Sequence, residues 1–120
     1  MPHPRPFRLA FVGGAPNSAV GYAHFVAARM DGLWDLQAGA FSRQPDVNAK
    51  AAEVYGVARE RSFGDLTELL DKEGDNLDAV SILTPTPSHF GMVLDCLQRG
   101  LPVICEKALA MTSGEATKIR

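Results

Sequence analysis

Between Arg8 and His24 the chain reads RLAFVGGAPNSAVGYAH. Leu9-Ala10-Phe11-Val12 is a short unbroken apolar run, the composition a strand takes when helices cover both of its faces. Gly13 and Gly14 then permit a tight turn with positive φ and close backbone approach. After a polar loop, Gly21 leads into a helix over 22–30, with Phe25, Ala28 and Arg29 recurring at helical spacing. A strand, a glycine turn and a helix in that order aim the free N–H groups of a helix start at whatever sits above the turn, and that place suits a phosphate. The usual dinucleotide fingerprint, G-x-G-x-x-G, is not met: the position two after Gly13 is Ala15, and the last glycine is delayed to Gly21. Glycines that merely make a tight strand-to-helix turn explain the stretch equally well. A P-loop fails on its own motif, because Tyr22 and Ala23 stand where Lys and Ser/Thr are required.

Down the chain, elements alternate. Prolines at 2, 4 and 6 predict a frayed tail over 1–6, which holds His3, with one folded domain over 7–120. Residues 36–41 read as a second strand. In a dinucleotide-binding fold the residue at its tip, roughly 20 positions beyond the glycine turn, faces the adenosine ribose, where an acidic side chain accepts from the 2′-hydroxyl. Ser42-Arg43-Gln44 stands there instead. No carboxylate repels a 2′-phosphate, Arg43 offers to pair with one and Ser42 to donate, which favours NADP over NAD. The plainer alternative is that Ser42 caps the next helix and Arg43 is solvated.

Pro45 begins a helix through Tyr55 that Gly56 ends. Residues 57–59 suit a short third strand, and 62–72 a helix carrying Leu66, Leu69 and Leu70, with Asp65 and Glu68 in its early turns. Asp71, Glu73, Asp75 and Asp78 around Gly74 read as a solvated loop, since no metal-ligand spacing emerges. Ala79-Val80-Ser81-Ile82-Leu83 is a fourth strand. Thr84-Pro85-Thr86-Pro87 holds the backbone extended, and Ser88 is placed to cap a helix over 89–99. Residues 101–105 form a fifth strand leading to Glu106-Lys107, and Thr112 or Ser113 caps a last helix. This alternation predicts an α/β, Rossmann-type, doubly wound parallel sheet.

A chain of 120 residues with a formal net charge of -2 and no dense Lys/Arg cluster argues against nucleic acid as a partner. No apolar run reaches membrane-spanning length and no signal-peptide layout is present, so a cytoplasmic location without membrane contact is expected. Cys96 and Cys105 lack C-x-x-C spacing and read as small hydrophobes rather than metal or redox groups; no metal site is expected.

Taken together, VGGAPNSAVGYAH, LDAVSILTPTPSH and GLPVICEKALA resemble the N-terminal half of the glucose-fructose oxidoreductase/inositol dehydrogenase (Gfo/Idh/MocA) family. The shared features are a helix-entry glycine three residues before a histidine (Gly21, His24), a TP-x-x-x-H stretch (Thr84, Pro85, His89) and EK after a strand (Glu106, Lys107). The resemblance implies a nicotinamide-dependent dehydrogenase acting on a sugar, polyol or related small molecule. It places Gly13, Gly14, Ala15, Asn17 and Ser18 against the pyrophosphate of NADP (or NAD), and Ser42 and Arg43 beside the adenosine ribose. Leu83, Thr84, Pro85 and Thr86 would run beneath the nicotinamide side, with His89 and Glu106 close by. Lys107 would be the catalytic residue at the substrate hydroxyl, its ammonium stabilising the developing alkoxide. For His24 and His89, packing and helix-start hydrogen bonding stand level with cofactor contact.

Three departures accompany the likeness. Ala108 follows EK where the family has proline, the glycine turn is longer than the common form, and the chain stops before the sixth strand and the larger substrate domain. The 120 residues are thus expected to be the cofactor half of an enzyme rather than an enzyme alone, with a non-catalytic dinucleotide-sensing module as the alternative. A methyltransferase would want an acid near Ser42 and has no use for the TP-x-x-x-H and EK stretches. With no sixth strand, 101–105 is expected to be an apolar edge that self-associates or is covered by the last helix.

Overall fold

The computed structural model describes residues 5–18, 20–30, 32–105 and 113–119. Four strands form one sheet in the order β2-β1-β3-β4, where β1 is Phe7–Gly13, β2 Trp34–Ala40, β3 Ala79–Leu83 and β4 Val103–Cys105. Every pairing is parallel. The intervening helices are α1 (Gly21–Met30), α2 (Pro45–Tyr55), α3 (Leu66–Glu73) and α4 (His89–Gln98), with α5 (Ser113–Ile119) after β4. This is the doubly wound α/β arrangement expected from the alternation.

The period of two along each strand divides the core in two. Ala10, Val12, Val80 and Ile82 point to one face, where Leu66, Leu69 and Leu70 of α3 and Val93 and Cys96 of α4 cover them. Leu9, Phe11, Ala79 and Leu83 point to the other, against Ala28 of α1 and Ala51, Ala52 and Tyr55 of α2. All five residues of β3 are buried, the polar Ser81 among them, as a strand covered on both faces requires. Burial pushes the thiol of Cys96, wholly enclosed in the first core, up to about 11.

Helix ends follow local chemistry. Pro45 occupies the first turn of α2, and Gly56 closes it at φ 72°, a left-handed position natural to glycine. At the end of α4, Gly100 donates to the Leu97 carbonyl and Leu101 to that of Cys96. Leu101 thereby closes the helix instead of joining the strand, and β4 is confined to 103–105.

Several expectations are corrected. Residues 57–59 form no strand: Val57 is buried, Arg59–Arg61 makes a single 3₁₀ turn, and this segment meets β2 through a bridge between Gly39 and Ser62 and through Arg61, whose guanidinium donates to Gln37 Oε1 at 3.3 Å. Arg59-Glu60-Arg61 has no apolar side chains to bury on two covered faces, and Arg61 instead forms a 2.8 Å ion pair with Glu73. The helix expected from Ser62 begins at Leu66, because the Asp65 carboxylate accepts from the Glu68 N–H at 2.8 Å and caps it. Nor is the acidic stretch simply solvated: Glu73 is buried against Arg61, which holds its carboxyl below the usual range. Ser113 is the first residue of α5, and Thr112, the other cap expected there, lies outside the described residues; α5 packs on α4, and β4 stands at the sheet edge as expected.

Asp78 ties the start of β3 to that of β1. Its carboxylate accepts from the Arg8 N–H at 2.7 Å and from the Arg5 guanidinium at 2.8 Å, so Arg5 is tethered although it lies in the segment expected to fray. These hydrogen bonds hold the Asp78 carboxyl well below the usual carboxylate range. A group whose folded pKa is depressed contributes stability above its unfolded pKa and loses it as the pH falls through the folded one. Asp78→Asn is therefore expected to lower stability by about 1 kcal/mol at neutral pH, solvent screening keeping the effect small. In urea titrations the gap between the two proteins should close progressively below about pH 4. A gap that persists unchanged into acid would assign the effect to packing.

Candidate functional site

The chain runs outward from β1 to β2 and returns to β3 on the other side of β1, so strand order reverses between β1 and β3. In open parallel sheets a crevice opens at the carboxyl ends of the strands at such a point. Here the register pairs Gly13 with Leu83, which brings the glycine turn and the end of β3 together.

Three glycines make that closeness possible. Gly13 and Gly14 lie at φ 74° and 75°. A Cβ on Gly14 would stand 2.5 Å from Leu83 Cδ1, and one on Gly13 2.9 Å from Thr84 Cγ2. A Cβ on Gly21 would come within 2.0 Å of the Gly14 carbonyl oxygen, so the first residue of α1 rests directly on the turn. Between them, the Ser18 N–H donates to the Ala15 carbonyl at 2.8 Å, and Ser18 Oγ accepts from the Gly21 N–H at 3.0 Å. The Tyr55 hydroxyl donates to the Gly14 carbonyl at 2.6 Å. Burial, with the nearby Tyr22 adding to it, pushes that phenol up to about 12 and keeps it a donor.

A cleft of about 620 Å³ opens over these groups, within the roughly 300–1,000 Å³ of small-molecule and cofactor sites. Gly13, Gly14, Ala15, Asn17 and Ser18 form one wall, Ser42 and Arg43 beyond β2 a second, and Leu83, Thr84 and Pro85 beyond β3 a third. The structure thus brings ten of the anticipated residues around one space. Arg43 is exposed, and among the described residues no carboxylate pairs with it. Ser42 caps no helix: its Oγ accepts from the Gln44 N–H at 3.1 Å in a local turn.

The third wall differs in detail from expectation. Thr86–Ser88 is a 3₁₀ turn running into α4, not extended chain, since the fixed φ of proline suits that turn as well. Ser88 provides no side-chain cap. Its Oγ lies 2.7 Å from Thr84 Oγ1 and 2.8 Å from the Pro85 carbonyl, and donates within the loop. His89 is buried beneath this loop, its Nε2 2.6 Å from the Thr84 carbonyl, and it is not part of the cleft lining. His24 stands edge-on to Phe11 beside a separate shallow groove with Trp34, Ser81 and Ile104. Glu106 and Lys107 lie outside the described residues, as does the side chain of Thr86.

Two supporting residues escaped the sequence reading. Asn48 is buried in α2; its Oδ1 accepts from the Phe41 N–H at 2.8 Å and its Nδ2 donates to the Phe63 carbonyl at 3.0 Å. It fixes the backbone just before Ser42. An asparagine inside a helix, where its propensity is poor, was the available signal. For Tyr55 there was none, because its partner is 41 positions away.

A glycine cradle, the helix start that follows it and an arginine without a carboxylate partner among the described residues, around one cleft, suit a phosphate-bearing ligand. Among the described residues no three His, Cys, Asp or Glu side chains form a metal cluster, and no helix is long and apolar enough to cross a membrane.

Comparison with known proteins agrees with this geometry. Residues 7–120 match the family described as an oxidoreductase family with an NAD-binding Rossmann fold. The uncharacterized oxidoreductase YfiI of Bacillus subtilis strain 168 is 36% identical over 97% of this chain and 30% of its own length. An inositol dehydrogenase homologue from Azotobacter vinelandii, crystallised with NAD⁺, superposes with a TM-score of 0.93 at 38% identity, covering 98% of this chain and 31% of that one. The structure described as that homologue with NADH and myo-inositol matches with the same TM-score and identity, over 98% of this chain and 32% of that one. The chain spans about a third of the length of these relatives. It belongs to the Gfo/Idh/MocA oxidoreductase family and carries that family's NAD-binding Rossmann fold.

Proposed function

We propose that this chain is the cofactor-binding part of a dehydrogenase that passes a hydride between a nicotinamide dinucleotide and a secondary alcohol of a sugar or polyol. The observation that carries this is the cleft at the strand-order reversal, with the glycine cradle on one wall and Arg43 on another. Gly13, Gly14, Ala15, Asn17 and Ser18 take the pyrophosphate, Ser42 and Arg43 the adenosine ribose. Leu83, Thr84 and Pro85 line the nicotinamide side. The bound dinucleotide supplies the hydride donor or acceptor. Lys107 stabilises negative charge on the substrate oxygen, and in the longer relatives the remaining two-thirds of the chain are where a substrate pocket is expected. The polyol class is supported by the inositol 2-dehydrogenase of Leifsonia xyli, 37% identical over 63% of this chain, and by the Azotobacter homologue solved with myo-inositol.

NADP(H) is the favoured cofactor, because Arg43 stands at the second strand's tip where an acid would select NAD. The second reading is NAD(H), favoured by the Azotobacter structures, which hold NAD⁺ and NADH. Calorimetric titration separates them. NADPH is expected to bind about tenfold more tightly than NADH, and Arg43→Ala to remove the difference, since a charge-assisted phosphate contact is worth about 1.5–3 kcal/mol. Equal affinities would assign the site to NAD(H). Failure of either to bind a folded sample would reject the cofactor role, while dinucleotide binding without turnover of any polyol tested would indicate a sensing module.

A further inference from the structure

Tyr55, the last residue of α2, is buried among aromatic rings. It stacks on Phe25 at 4.5 Å and 28°, and meets Phe11 and Phe41 edge-on at 5.8 and 5.5 Å. Rings on three sides leave the side chain little rotational freedom, so the hydroxyl reaches the Gly14 carbonyl from a fixed platform. Gly14, at φ 75°, has the most conformational freedom of any residue type at a point where the cleft needs a definite backbone. In a trans peptide the N–H points opposite to the C=O. A Gly14 carbonyl turned towards Tyr55 therefore sends the Ala15 N–H away from the aromatic core. Ala15 lines the cleft, and among the described residues its N–H has no acceptor.

We propose that Tyr55 is a positioning residue: its hydroxyl locks the Gly14–Ala15 peptide so that the Ala15 N–H is presented to the pyrophosphate of the bound dinucleotide. This rests on the cofactor assignment made above. Tyr55 touches no ligand itself, and its contribution is preorganisation. Without the hydroxyl the peptide plane is free to rotate, and the Gly14 carbonyl loses its partner.

The test is Tyr55→Phe in the full chain, which removes one oxygen and keeps the ring. Titrations with NADH, ADP-ribose and AMP are compared with the wild type, alongside thermal unfolding. NADH and ADP-ribose, which contain the pyrophosphate, are expected to lose about tenfold in affinity. AMP, which lacks it, should bind unchanged. Equal weakening of all three ligands would overturn the proposal in favour of a general structural role, and so would unchanged affinity for ADP-ribose. Should the variant not fold, the wild-type Ala15 amide resonance decides: it should move with ADP-ribose and not with AMP, and no movement overturns the proposal. A wild type that binds none of the dinucleotides removes the cofactor assignment and this proposal together, whereas a wild type that binds NADH beside an unaffected Tyr55→Phe removes only the latter.

Discussion

Gly21→Ala is expected to abolish dinucleotide binding, with a loss of at least about 100-fold, and to lower stability by about 3 kcal/mol, the upper end of overpacking effects. The added methyl would stand 2.0 Å from the Gly14 carbonyl oxygen, 2.4 Å from its carbon and 2.7 Å from the Ala15 carbonyl oxygen. All three are backbone atoms of the turn, so no side chain can swing aside. Either α1 moves away or the turn is pushed into the cleft, and both displace the cradle from the end of β3. The carbonyl that would be struck is also the acceptor of Tyr55. Gly74→Ala is the matched control: its backbone is right-handed helical at φ −52°, and an added Cβ meets nothing within 4 Å. It should leave both binding and melting temperature nearly unchanged. Calorimetry and thermal unfolding of the two variants check this, and a Gly21→Ala protein that binds like wild type would show that the closeness of α1 to the turn is dispensable.

Phe11→Ala should have the largest effect on the fold. Phe11 is completely buried in the middle of β1 and packs edge-on against Phe41, Tyr55 and His24, at 6.3, 5.8 and 6.5 Å between ring centres. Truncating a buried phenylalanine costs about 3–5 kcal/mol through lost transfer energy and the cavity left behind. Domains of this kind have about 5–15 kcal/mol in total. The expected result is a melting temperature lower by roughly 10–25 °C, with partial unfolding at 37 °C. Because the cavity opens beside Tyr55, binding by the surviving folded fraction should weaken too. A loss below about 1 kcal/mol in denaturant titration would mean that the second core repacks without this ring.

What could be read in advance was what local sequence encodes. The boundaries of α2 and β3 follow from Pro45, Gly56 and the largely apolar run 79–83, and the glycine turn with its helix follows from Gly13, Gly14 and Gly21. The cleft residues at 42 and 43 were legible because a parallel βαβ unit puts the tip of its second strand at a predictable distance from the turn. Features held by distant partners were not. Asp78 looks like one acid among several until Arg8, 70 residues earlier, is placed beside it, and Glu73 likewise needs Arg61. Residues 57–59 carry a strand-like composition, yet the charged Arg59–Arg61 turn and the Asn48 bridge to Phe63 leave an isolated bridge at Ser62 in place of a ladder with β2. Ser88 is a good helix-capping residue type, but its hydroxyl is drawn to the Pro85 carbonyl, and the helix expected from Ser62 starts instead where Asp65 caps it.

On the proposed function, one cleft, at the reversal of strand order, holds a nicotinamide dinucleotide. Backbone amide shifts recorded while the chain is titrated with NADH test it most directly. Saturable changes are expected at Gly13, Gly14, Ala15 and Ser18, at Ser42 and Arg43, and at Leu83 and Thr84, with residues at the opposite sheet end such as Arg8 and Asp78 unmoved. Changes confined instead to the groove of His24, Ser81 and Ile104, or none at saturating NADH in a folded sample, would contradict it.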